Sequence, residues 1–516
     1  MQNRTPAVRV ALSLAALIGI STLAKTSGSE PEPPASAAAA RAGAASGAPG
    51  ESGADAPALP RAIRKLAEEV KRWGGSMGVA VLDVGSGQML AEQKAHASFN
   101  PASNAKLATA AAALAILGPQ RRFVTGLYGK IEGDAADEIT LRGDGDPSLE
   151  TRDLWALASE LRVVGVRKVR GITVDQGYFD DRYAPPAFEQ QPNEWAPFRA
   201  PVAAVSVNEN TVLFHVRAAT EGKEAEVDVD PPGFVEVLGS VSTSKKGSPE
   251  QVILSLEPKG ARLAAKLRGS LPEASRMLSV AKRVDDPRLL AGYALRAVLK
   301  QLSVEVSGDV RPGGEKQKRL IASHRSAELA ALLGALGKES DNFYAEMIFK
   351  AIGADKGLPA SAEAAASAVE GYLRQAGAFE PGVVVKNGSG LFDANRTTPW
   401  ATVSLLRAAY RDSRVGPDFL AQLSIGGVDG TMRGRLRGFA EQRVIRVKTG
   451  TLEAVAALSG YVLAPPGKAP IAFSVLVNGI PGKVSAARAL MDEVVTAVAE
   501  DLWRGASDAG AARAAR

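Results

Sequence analysis

The sequence FNPASNAKLATAAAALAILG at residues 99–118 predicts a buried helix that opens on a reactive pair of side chains. Pro101 precedes an Ala- and Leu-rich run that closes at Gly118, a pattern typical of a helix in apolar surroundings. Ser103 and Lys106 stand at its start. Residues i and i+3 share one face of a helix, so the Lys106 amine can reach the Ser103 hydroxyl. A serine becomes a strong nucleophile when a neighbouring base takes its proton.

Lys106 can serve as that base only in its neutral form. Burial and a second nearby cation both lower the pKa of a lysine, and a helix N-terminus supplies N–H groups that help hold an oxyanion. The Ser-x-x-Lys spacing is a weak signal by itself, because residues 242–245 and 279–282 also match it. Only Ser103 opens a long apolar helix. The residues around it leave open the alternative of a plain helix N-terminal serine.

A second candidate element is Ser340-Asp341-Asn342. It lies between two predicted helices, where a hydroxyl and an amide can point into a cleft. A Ser-x-Asn triplet is common by chance, and residues 98–100 and 206–208 match it too. The alternative for this triplet is a helix N-cap formed by Ser340 or Asp341, which has no chemical role.

A third candidate element is Lys448-Thr449-Gly450, followed by Thr451. It ends a β-branched strand, so we expect Lys448 and Thr449 to project from the edge of a sheet. A glycine at this point leaves room for a substrate backbone to lie alongside the strand. The alternative for these residues is a simple turn after a strand.

The order of the three elements is more specific than any one of them. Ser-x-x-Lys on a buried helix, then Ser-Asp-Asn, then Lys-Thr-Gly is the pattern of penicillin-binding proteins and class A β-lactamases. Over residues 60–505 the chain resembles the class C low-molecular-mass penicillin-binding proteins, the D-alanyl-D-alanine carboxypeptidases/endopeptidases of peptidase family S13. The 237 positions between Ser103 and Ser340 suit this family, which carries a long insertion after the first motif. Five further stretches also resemble it: GDGDPSL at 143–149, VDQGYFDD at 174–181, APVAAVSVNEN at 200–210, NGSGL at 387–391 and GGVDGTMRGRLRG at 426–438.

The predicted fold class is α+β. The helix and strand pattern, with the resemblance, indicates a catalytic domain of the serine β-lactamase/penicillin-binding-protein type, in which helices flank an antiparallel sheet. We expect this domain at residues 60–120 and 318–505. Residues 121–317 read as a long, mostly β insertion that forms one or two extra subdomains, with one clear helix at 153–166.

The resemblance also implies the role of each site residue. Ser103 would attack the carbonyl between two D-alanines of a peptidoglycan stem peptide, and Lys106 would accept its proton. Ser340 would relay a proton to the leaving amine, and Lys448 would help keep the pKa of Lys106 low. β-Lactams would mimic the dipeptide and inhibit covalently. Asn342 would hold both the peptide and Lys106, and Lys448 and Thr449 would bind the terminal carboxylate. The backbone N–H groups of Ser103 and Thr451 would form the oxyanion hole. The implied catalytic residues are therefore Ser103, Lys106 and Ser340, and the implied substrate-binding residues are Asn342, Lys448, Thr449, Gly450 and Thr451.

Two positions depart from the family pattern. Asp393 follows NGSGL where some relatives carry a basic residue, and Glu453 follows the Lys-Thr-Gly motif where relatives carry a neutral one. If both contact the side chain of the third stem-peptide residue, two carboxylates favour an ammonium there. Solvated surface acids are the alternative.

The amino-acid composition argues against several kinds of site and partner. The 516 residues include no cysteine and three histidines spaced far apart, with a net charge of +6. We therefore expect no disulfide, no metal site and no cofactor, and no nucleic-acid partner, because no dense basic stripe interleaved with aromatics occurs. The alternatives are a β-lactamase or esterase that uses the same centre, and a non-catalytic peptidoglycan-binding relative. A Ser-His-Asp hydrolase is weaker, because no G-x-S-x-G elbow is present.

The first residues indicate export. Arg4 and Arg9 precede an apolar run at 10–24, the layout of a secretory signal or of an uncleaved membrane anchor. Residues 25–59 are rich in Ala, Gly, Ser and Pro and predict a disordered linker, and residues 506–516 a disordered tail. We expect an exported protein of the bacterial periplasm or cell envelope, with contact to a membrane only through an uncleaved anchor.

Overall fold

The computed structural model describes residues 57–314 and 319–504. The predicted signal or anchor at 1–24, the linker as far as residue 56 and the tail at 506–516 lie outside the described residues. Within the two described ranges, no helix combines the length and the apolar character needed to cross a bilayer.

Within the described residues, a run of strands, β7 to β13 at residues 211–283, lies before a run of helices, α5 to α9 at residues 329–421. In chain order the helices are α1 (Ala58–Arg72), α2 (Ala105–Ile116), α3 (Thr151–Val163), α4 (Leu290–Gln301), α5 (Leu329–Gly337), α6 (Asn342–Ile352), α7 (Ala362–Gln375), α8 (Pro399–Arg411), α9 (Gly416–Ala421) and α10 (Val484–Trp503). The strands are β1 (Ser76–Asp83), β2 (Met89–Gln93), β3 (Val124–Glu132), β4 (Ala135–Gly143), β5 (Lys168–Val169), β6 (Ile172–Asp175), β7 (Thr211–Arg217), β8 (Glu226–Asp230), β9 (Val235–Leu238), β10 (Ser242–Ser244), β11 (Gln251–Lys259), β12 (Arg262–Pro272), β13 (Leu278–Arg283), β14 (Glu305–Val306), β15 (Val310–Pro312), β16 (Leu320–Arg325), β17 (Ser424–Ile425), β18 (Ile445–Leu452), β19 (Val455–Val462) and β20 (Ile471–Asn478).

The central sheet joins the two ends of the described chain. Its strand order is β17-β18-β19-β20-β1-β2, and every neighbouring pair is antiparallel. Strand β1 pairs with β20 along its whole length, from Ser76 opposite Asn478 to Asp83 opposite Ile471. The β1-β2 hairpin and the strands β18, β19 and β20 therefore belong to one sheet.

Helices cover both faces of this sheet. On one face, α1 and α10 pack over the strands in a core that includes Leu66, Val475 and Met491. Ile63, Leu66 and Val70 are buried, as their helical spacing predicts. On the other face, α2 packs with α5 to α8 in a second core. The result is the predicted α+β arrangement of an antiparallel sheet between helical layers.

The segment between α2 and α5 forms three smaller sheets with their own core. The largest contains β14-β5-β4-β3-β16, with β6 and β15 attached; the others are β10-β12-β11 with β9, and β13-β7-β8. This segment is mostly β, as the sequence predicts. Strand β16 pairs with β3, so the largest sheet extends past residue 317.

Helix α4 was not predicted from the sequence, which indicated only α3 as a clear helix of this segment. Its buried side includes Leu290, Leu295 and Val298, and it packs against α3. Gly292 lies inside α4, and a glycine ordinarily disfavours the interior of a helix. Packing against the neighbouring sheet outweighs that preference here.

We expect Leu66→Ala to lower the free energy of unfolding by roughly 2–5 kcal/mol, because it empties a fully buried position between α1 and the sheet. The matched control is Lys65→Ala on the same helix. Lys65 donates to Glu493 of α10 at 2.7 and 2.8 Å, but both side chains are exposed, so its loss should cost about 1 kcal/mol or less. Chemical denaturation followed by circular dichroism measures both. Equal losses would contradict the assigned packing of α1.

Candidate active site

The first candidate element begins with a tight turn before α2. Ser103 lies in a short 3-10 helix, Ala102–Asn104, and Lys106 lies in the first turn of α2. The Lys106 Nζ atom is 2.9 Å from Ser103 Oγ, as the i, i+3 spacing predicts. Ala102 has a φ of 45°, in the left-handed region that costs a non-glycine residue free energy. Strain of this kind clusters at functional sites.

Lys106 is enclosed by acceptors from distant parts of the chain. Its side chain is fully buried, and Nζ donates to Asn342 Oδ1 at 2.8 Å and to the Ser389 carbonyl oxygen at 2.8 Å. Both partners can only accept, whereas the Ser103 hydroxyl can donate. A neutral Lys106 therefore donates its two N–H groups to Asn342 Oδ1 and the Ser389 carbonyl oxygen. Its lone pair remains available to accept the proton of the Ser103 hydroxyl.

Burial sets the protonation of this amine. It lowers the pKa of Lys106 to about 7, against the opposing effect of the Glu346 and Asp341 carboxylates. We expected Lys448 to lower the pKa of Lys106. Instead burial is the cause at Lys106, and it is the pKa of Lys448 that falls well below its ordinary value, first through burial and then through Lys106.

The second candidate element shapes the start of α6. Asp341 is the N-cap and accepts the Tyr344 N–H at 2.9 Å, so the N-cap alternative is realised at this position. Ser340 has a φ of 61°, and Asn342 donates through Nδ2 to the Phe198 carbonyl oxygen at 3.0 Å. Within Ser340-Asp341-Asn342, Asp341 therefore caps α6, while Asn342 accepts a hydrogen bond from Lys106.

The third candidate element brings the central sheet to the same place. Lys448 is fully buried on β18, and its Nζ atom donates to Ser340 Oγ at 2.7 Å and to the Thr449 carbonyl oxygen at 2.8 Å. Thr449 Oγ1 donates to Thr431 Oγ1 at 2.9 Å. Strand β17 pairs with β18 only at positions 446 and 447. Among the described strands, none continues that pairing beside Lys448 and the residues after it.

Gly450 has a different neighbour from the one that the sequence predicts. A Cβ atom at this position would lie 2.7 Å from the Pro101 carbonyl oxygen and 3.2 Å from Ala102 Cβ. The close approach is therefore to the turn that carries Ser103, rather than to open space for a substrate. Glycine lets β18 pack against that turn.

Two residues near the site escaped the sequence analysis. Glu346 of α6 is buried and accepts the Gly388 N–H at 3.1 Å and the Ser389 N–H at 2.8 Å. Arg488 of α10 is half-buried and donates to Thr451 Oγ1. No carboxylate within the described ranges forms an ion pair with Arg488. The signal for Glu346 was present in the sequence as a carboxylate four positions after Asn342 in an apolar helix, whereas nothing local marks Arg488.

The NGSGL stretch folds against the turn that carries Ser103. Gly390 has a φ of 74°, and a Cβ atom there would lie 1.9 Å from the Ala102 carbonyl oxygen. Only glycine fits this approach. The loop thereby carries the Ser389 carbonyl to Lys106.

The two residues that depart from the family pattern differ in their surroundings. Asp393 forms an ion pair with Arg396 at 2.7 Å and accepts from Asn100 Nδ2 at 3.0 Å. Glu453 is exposed. Asp393 is therefore not a free carboxylate, because Arg396 already balances its charge.

The histidines lie apart from this centre, all three within the described ranges. His96 contacts Glu380 at 2.7 Å, His215 contacts Ser279 at 3.0 Å, and His324 lies 3.6 Å from Asp146. The residue that hydrogen-bonds Ser103 is a lysine. Across the described residues, no group of three or more acidic or histidine side chains is placed to hold a metal ion.

Comparison with known proteins gives the family. Residues 59–500 match the family model described as the D-Ala-D-Ala carboxypeptidase 3 (S13) family. The chain belongs to that family. The S13 chain is 33% identical over 475 residues to the D-alanyl-D-alanine carboxypeptidase of Actinomadura sp. (strain R39), covering 87% of this chain and 86% of the relative. It is 26% identical to the D-alanyl-D-alanine carboxypeptidase DacB of Haemophilus influenzae, covering 79% of this chain and 86% of the relative.

Solved structures agree on the fold of this S13 protein. It matches the crystal structure of penicillin binding protein 4 (dacB) from Haemophilus influenzae with a TM-score of 0.69 at 24% identity, over 83% of this chain and 98% of that one. The family, the fold class and the enzyme class predicted from the sequence, a serine-type D-Ala-D-Ala carboxypeptidase, are confirmed. The non-catalytic alternative is thereby set aside.

We expect Gly390→Ala to lower both stability and the kcat/KM for a peptide ending in D-Ala-D-Ala, the latter about 100-fold, because the added methyl group displaces the turn of Ser103. The control is Gly377→Ala after α7. Gly377 also has a positive φ, of 65°, but no atom lies within 4 Å of its Cβ position. The control should lose about 1–2 kcal/mol of stability and keep its activity. Equal activities in the two variants would contradict the assigned contact.

Proposed function

We propose that this S13 enzyme removes the terminal D-alanine of peptidoglycan stem peptides through an acyl-enzyme on Ser103. The observation that carries the proposal is the fully buried Lys106 amine, 2.9 Å from Ser103 Oγ, with both other neighbours able only to accept. A pKa of about 7 leaves much of this amine neutral at neutral pH. A general base is most effective when its pKa lies near the working pH.

Acylation forms one bond and breaks another. Ser103 Oγ attacks the carbonyl carbon of the penultimate D-alanine while its proton moves to Lys106 Nζ. The N–H groups of Ser103 and Thr451 stabilise the oxyanion, a contribution of typically about 3–4 kcal/mol per donor. Collapse of the tetrahedral intermediate breaks the peptide bond and leaves the acyl group on Ser103.

The leaving amine needs a proton. Ser340 relays it. Its hydroxyl, which receives a hydrogen bond from Lys448 Nζ at 2.7 Å, passes its own proton to the amine and takes up the proton that Lys106 received from Ser103. Lys106 is neutral again after this step. D-Alanine then departs. Water attacks the ester, with Lys106 as base again, which releases the shortened peptide and restores the Ser103 hydroxyl.

The terminal carboxylate of the substrate belongs at the free edge of β18. Thr449 and Thr451 are two positions apart on this strand and so present their hydroxyls on the same side. Lys448 supplies a buried amine beside them, and Arg488 adds a guanidinium that donates to the Thr451 hydroxyl. Asn342 would hold the peptide as well as Lys106.

The biological setting follows from the same proposal. The partners are the peptidoglycan stem peptide and β-lactams, which present a strained amide to the same serine. A structure of the Haemophilus influenzae protein, 25% identical with a TM-score of 0.66, contains a β-lactam. Cleavage of cross-links between stem peptides and a role in cell-wall remodelling are part of the proposal, as are export by the apolar segment at residues 10–24 and a place in the periplasm or cell envelope.

A labelled penicillin should modify Ser103 and nothing else, as mapped by digestion and mass spectrometry. Ser103→Ala and Lys106→Met should abolish the labelling, while Ser242→Ala and Ser279→Ala, at the two other Ser-x-x-Lys matches, should leave it unchanged. A label elsewhere would overturn the site. Rapid turnover of the penicillin would favour the β-lactamase alternative instead.

We expect Arg488→Ala to lower kcat/KM for a D-Ala-D-Ala peptide with a free carboxylate by about tenfold to a hundredfold, the value of a hydrogen bond to a charged group. The same peptide as a C-terminal amide should lose far less. The matched control is Arg121→Ala, whose guanidinium is held by Asp144 at 2.6 Å. This control should lower stability without changing the ratio of acid to amide rates. An unchanged ratio in Arg488→Ala would exclude the carboxylate contact.

A further inference from the structure

We infer that Glu346 is a positioning residue for the reaction, whose carboxylate fixes the 388–389 backbone so that the Ser389 carbonyl meets the Lys106 amine. This inference deepens the proposed function and rests on it, since it takes Lys106 as the base. It also gives the NGSGL stretch a role in the reaction. Glu346 does not touch the substrate and acts only through the loop.

A continuous chain of contacts links the two residues. Glu346 is 3% exposed. Its Oε2 atom accepts the Gly388 N–H at 3.1 Å, its Oε1 atom accepts the Ser389 N–H at 2.8 Å, and the Ser389 carbonyl accepts Lys106 Nζ at 2.8 Å. Each link is a hydrogen bond between buried groups, so none of them competes with water.

Helix α6 reaches the Lys106 amine by two routes. Asn342 and Glu346 are four positions apart and lie on one face of the helix. Asn342 contacts Nζ directly, and Glu346 sets the second acceptor through the loop. A neutral Lys106 has two N–H bonds, and α6 governs the acceptors of both. The direction of the lone pair toward Ser103 follows from that arrangement.

The residue type at this position matters. A carboxylate accepts at both oxygens, which matches the two N–H groups facing it, whereas an amide would turn an N–H donor toward one of them. An unpaired buried charge is costly, and hydrogen bonds to a charged acceptor are the strong ones that offset the cost. The next residues of α6, Met347, Ile348 and Phe349, are buried and apolar. An apolar side chain like these would be enough to fill the space at position 346, so the carboxylate has a further role.

The charges around Lys106 give Glu346 a second, opposite effect. From α6, Glu346 and Asp341 raise the pKa of Lys106 against its burial, and from β18 the Lys448 amine faces the same pocket. Burial raises the pKa of Glu346 itself, while the hydrogen bonds from Ser389 and Gly388 and the charge of Lys106 oppose that rise. Glu346 therefore aligns the base and also favours its protonated form.

The test uses Glu346→Gln and the second-order rate of acylation by a β-lactam, measured from about pH 5 to about pH 9. In the wild type the rate should rise with pH through a limb near the Lys106 pKa of about 7. Removing the negative charge destabilises the ammonium form, so the limb should move about one unit to lower pH. The plateau above the limb should fall at least about tenfold, because the Ser389 carbonyl is no longer fixed.

Lys350→Met is the matched control. Lys350 is the other buried charge of α6, 2% exposed and 2.5 Å from Asp180. Its loss should lower the midpoint of thermal unfolding but leave the acidic limb in place. A folded Glu346→Gln protein with an unmoved limb, or with a plateau equal to the wild type, would overturn the inference. A wild type that fails to label at Ser103 would overturn the proposed function instead.

A second measurement needs no variant and therefore no assumption that the Gln protein folds. Residue-resolved hydrogen exchange of the unmodified protein should show slow exchange at the Gly388 and Ser389 amides, because Glu346 holds both. Exchange at either amide as fast as in an unstructured chain would contradict the anchor.

Discussion

The hydrogen bond between Lys106 and Ser103 in a water-excluding pocket is the interaction on which the rest of this structure depends. In water, an amine with an ordinary lysine pKa would be protonated and unable to accept a proton. Burial removes that preference. The acceptors that align the amine come from α6 and from the loop after α7, and β18 places the Lys448 amine close enough for Lys106 to lower its pKa. The proposed catalytic unit is thus a property of the assembled fold rather than of any one motif.

That arrangement opposes stability at several points. Lys106 and Lys448 are both fully buried amines, and Ala102 and Ser340 hold backbone angles that are unfavourable for non-glycine residues. Such departures persist only where the surroundings impose them. Large apolar cores on both faces of the central sheet supply that constraint. Departures from local rules of sequence and structure are expected at functional sites, and these cluster around the proposed nucleophile Ser103.

The sequence predicted what local spacing or motif order determines. The contact between Ser103 and Lys106 follows from one helical turn, and the meeting of the three motifs follows from the family resemblance. It could not predict which physical effect lowers the pKa of Lys106, because burial emerges only from tertiary packing. Gly450 was assigned to a substrate, although its close neighbour is the turn at Pro101. Helix α4 was missed because its interior glycine is disfavoured locally and is tolerated only through packing.

The same reasoning explains the two site residues that were overlooked. Glu346 and Arg488 act across sequence separations that no local pattern encodes, on Ser389 and Thr451 respectively. A retrospective signal exists for Glu346 alone. A charged residue at the i+4 position from Asn342 within an otherwise apolar helix marks a side chain that must find a partner in the interior.

The pairing of β1 with β20 has a consequence for the stage of synthesis at which the fold can be completed. Synthesis runs from the N-terminus, so the serine leaves the ribosome long before Lys448 and before the strands that complete the sheet. Until those late strands are made, β1 lacks its β20 neighbour. The Lys106 amine is then exposed to water and protonated, so it cannot accept the proton of the Ser103 hydroxyl. With the proposed centre at Ser103, hydrolytic activity therefore appears only at the end of folding, when the last strands have joined the sheet.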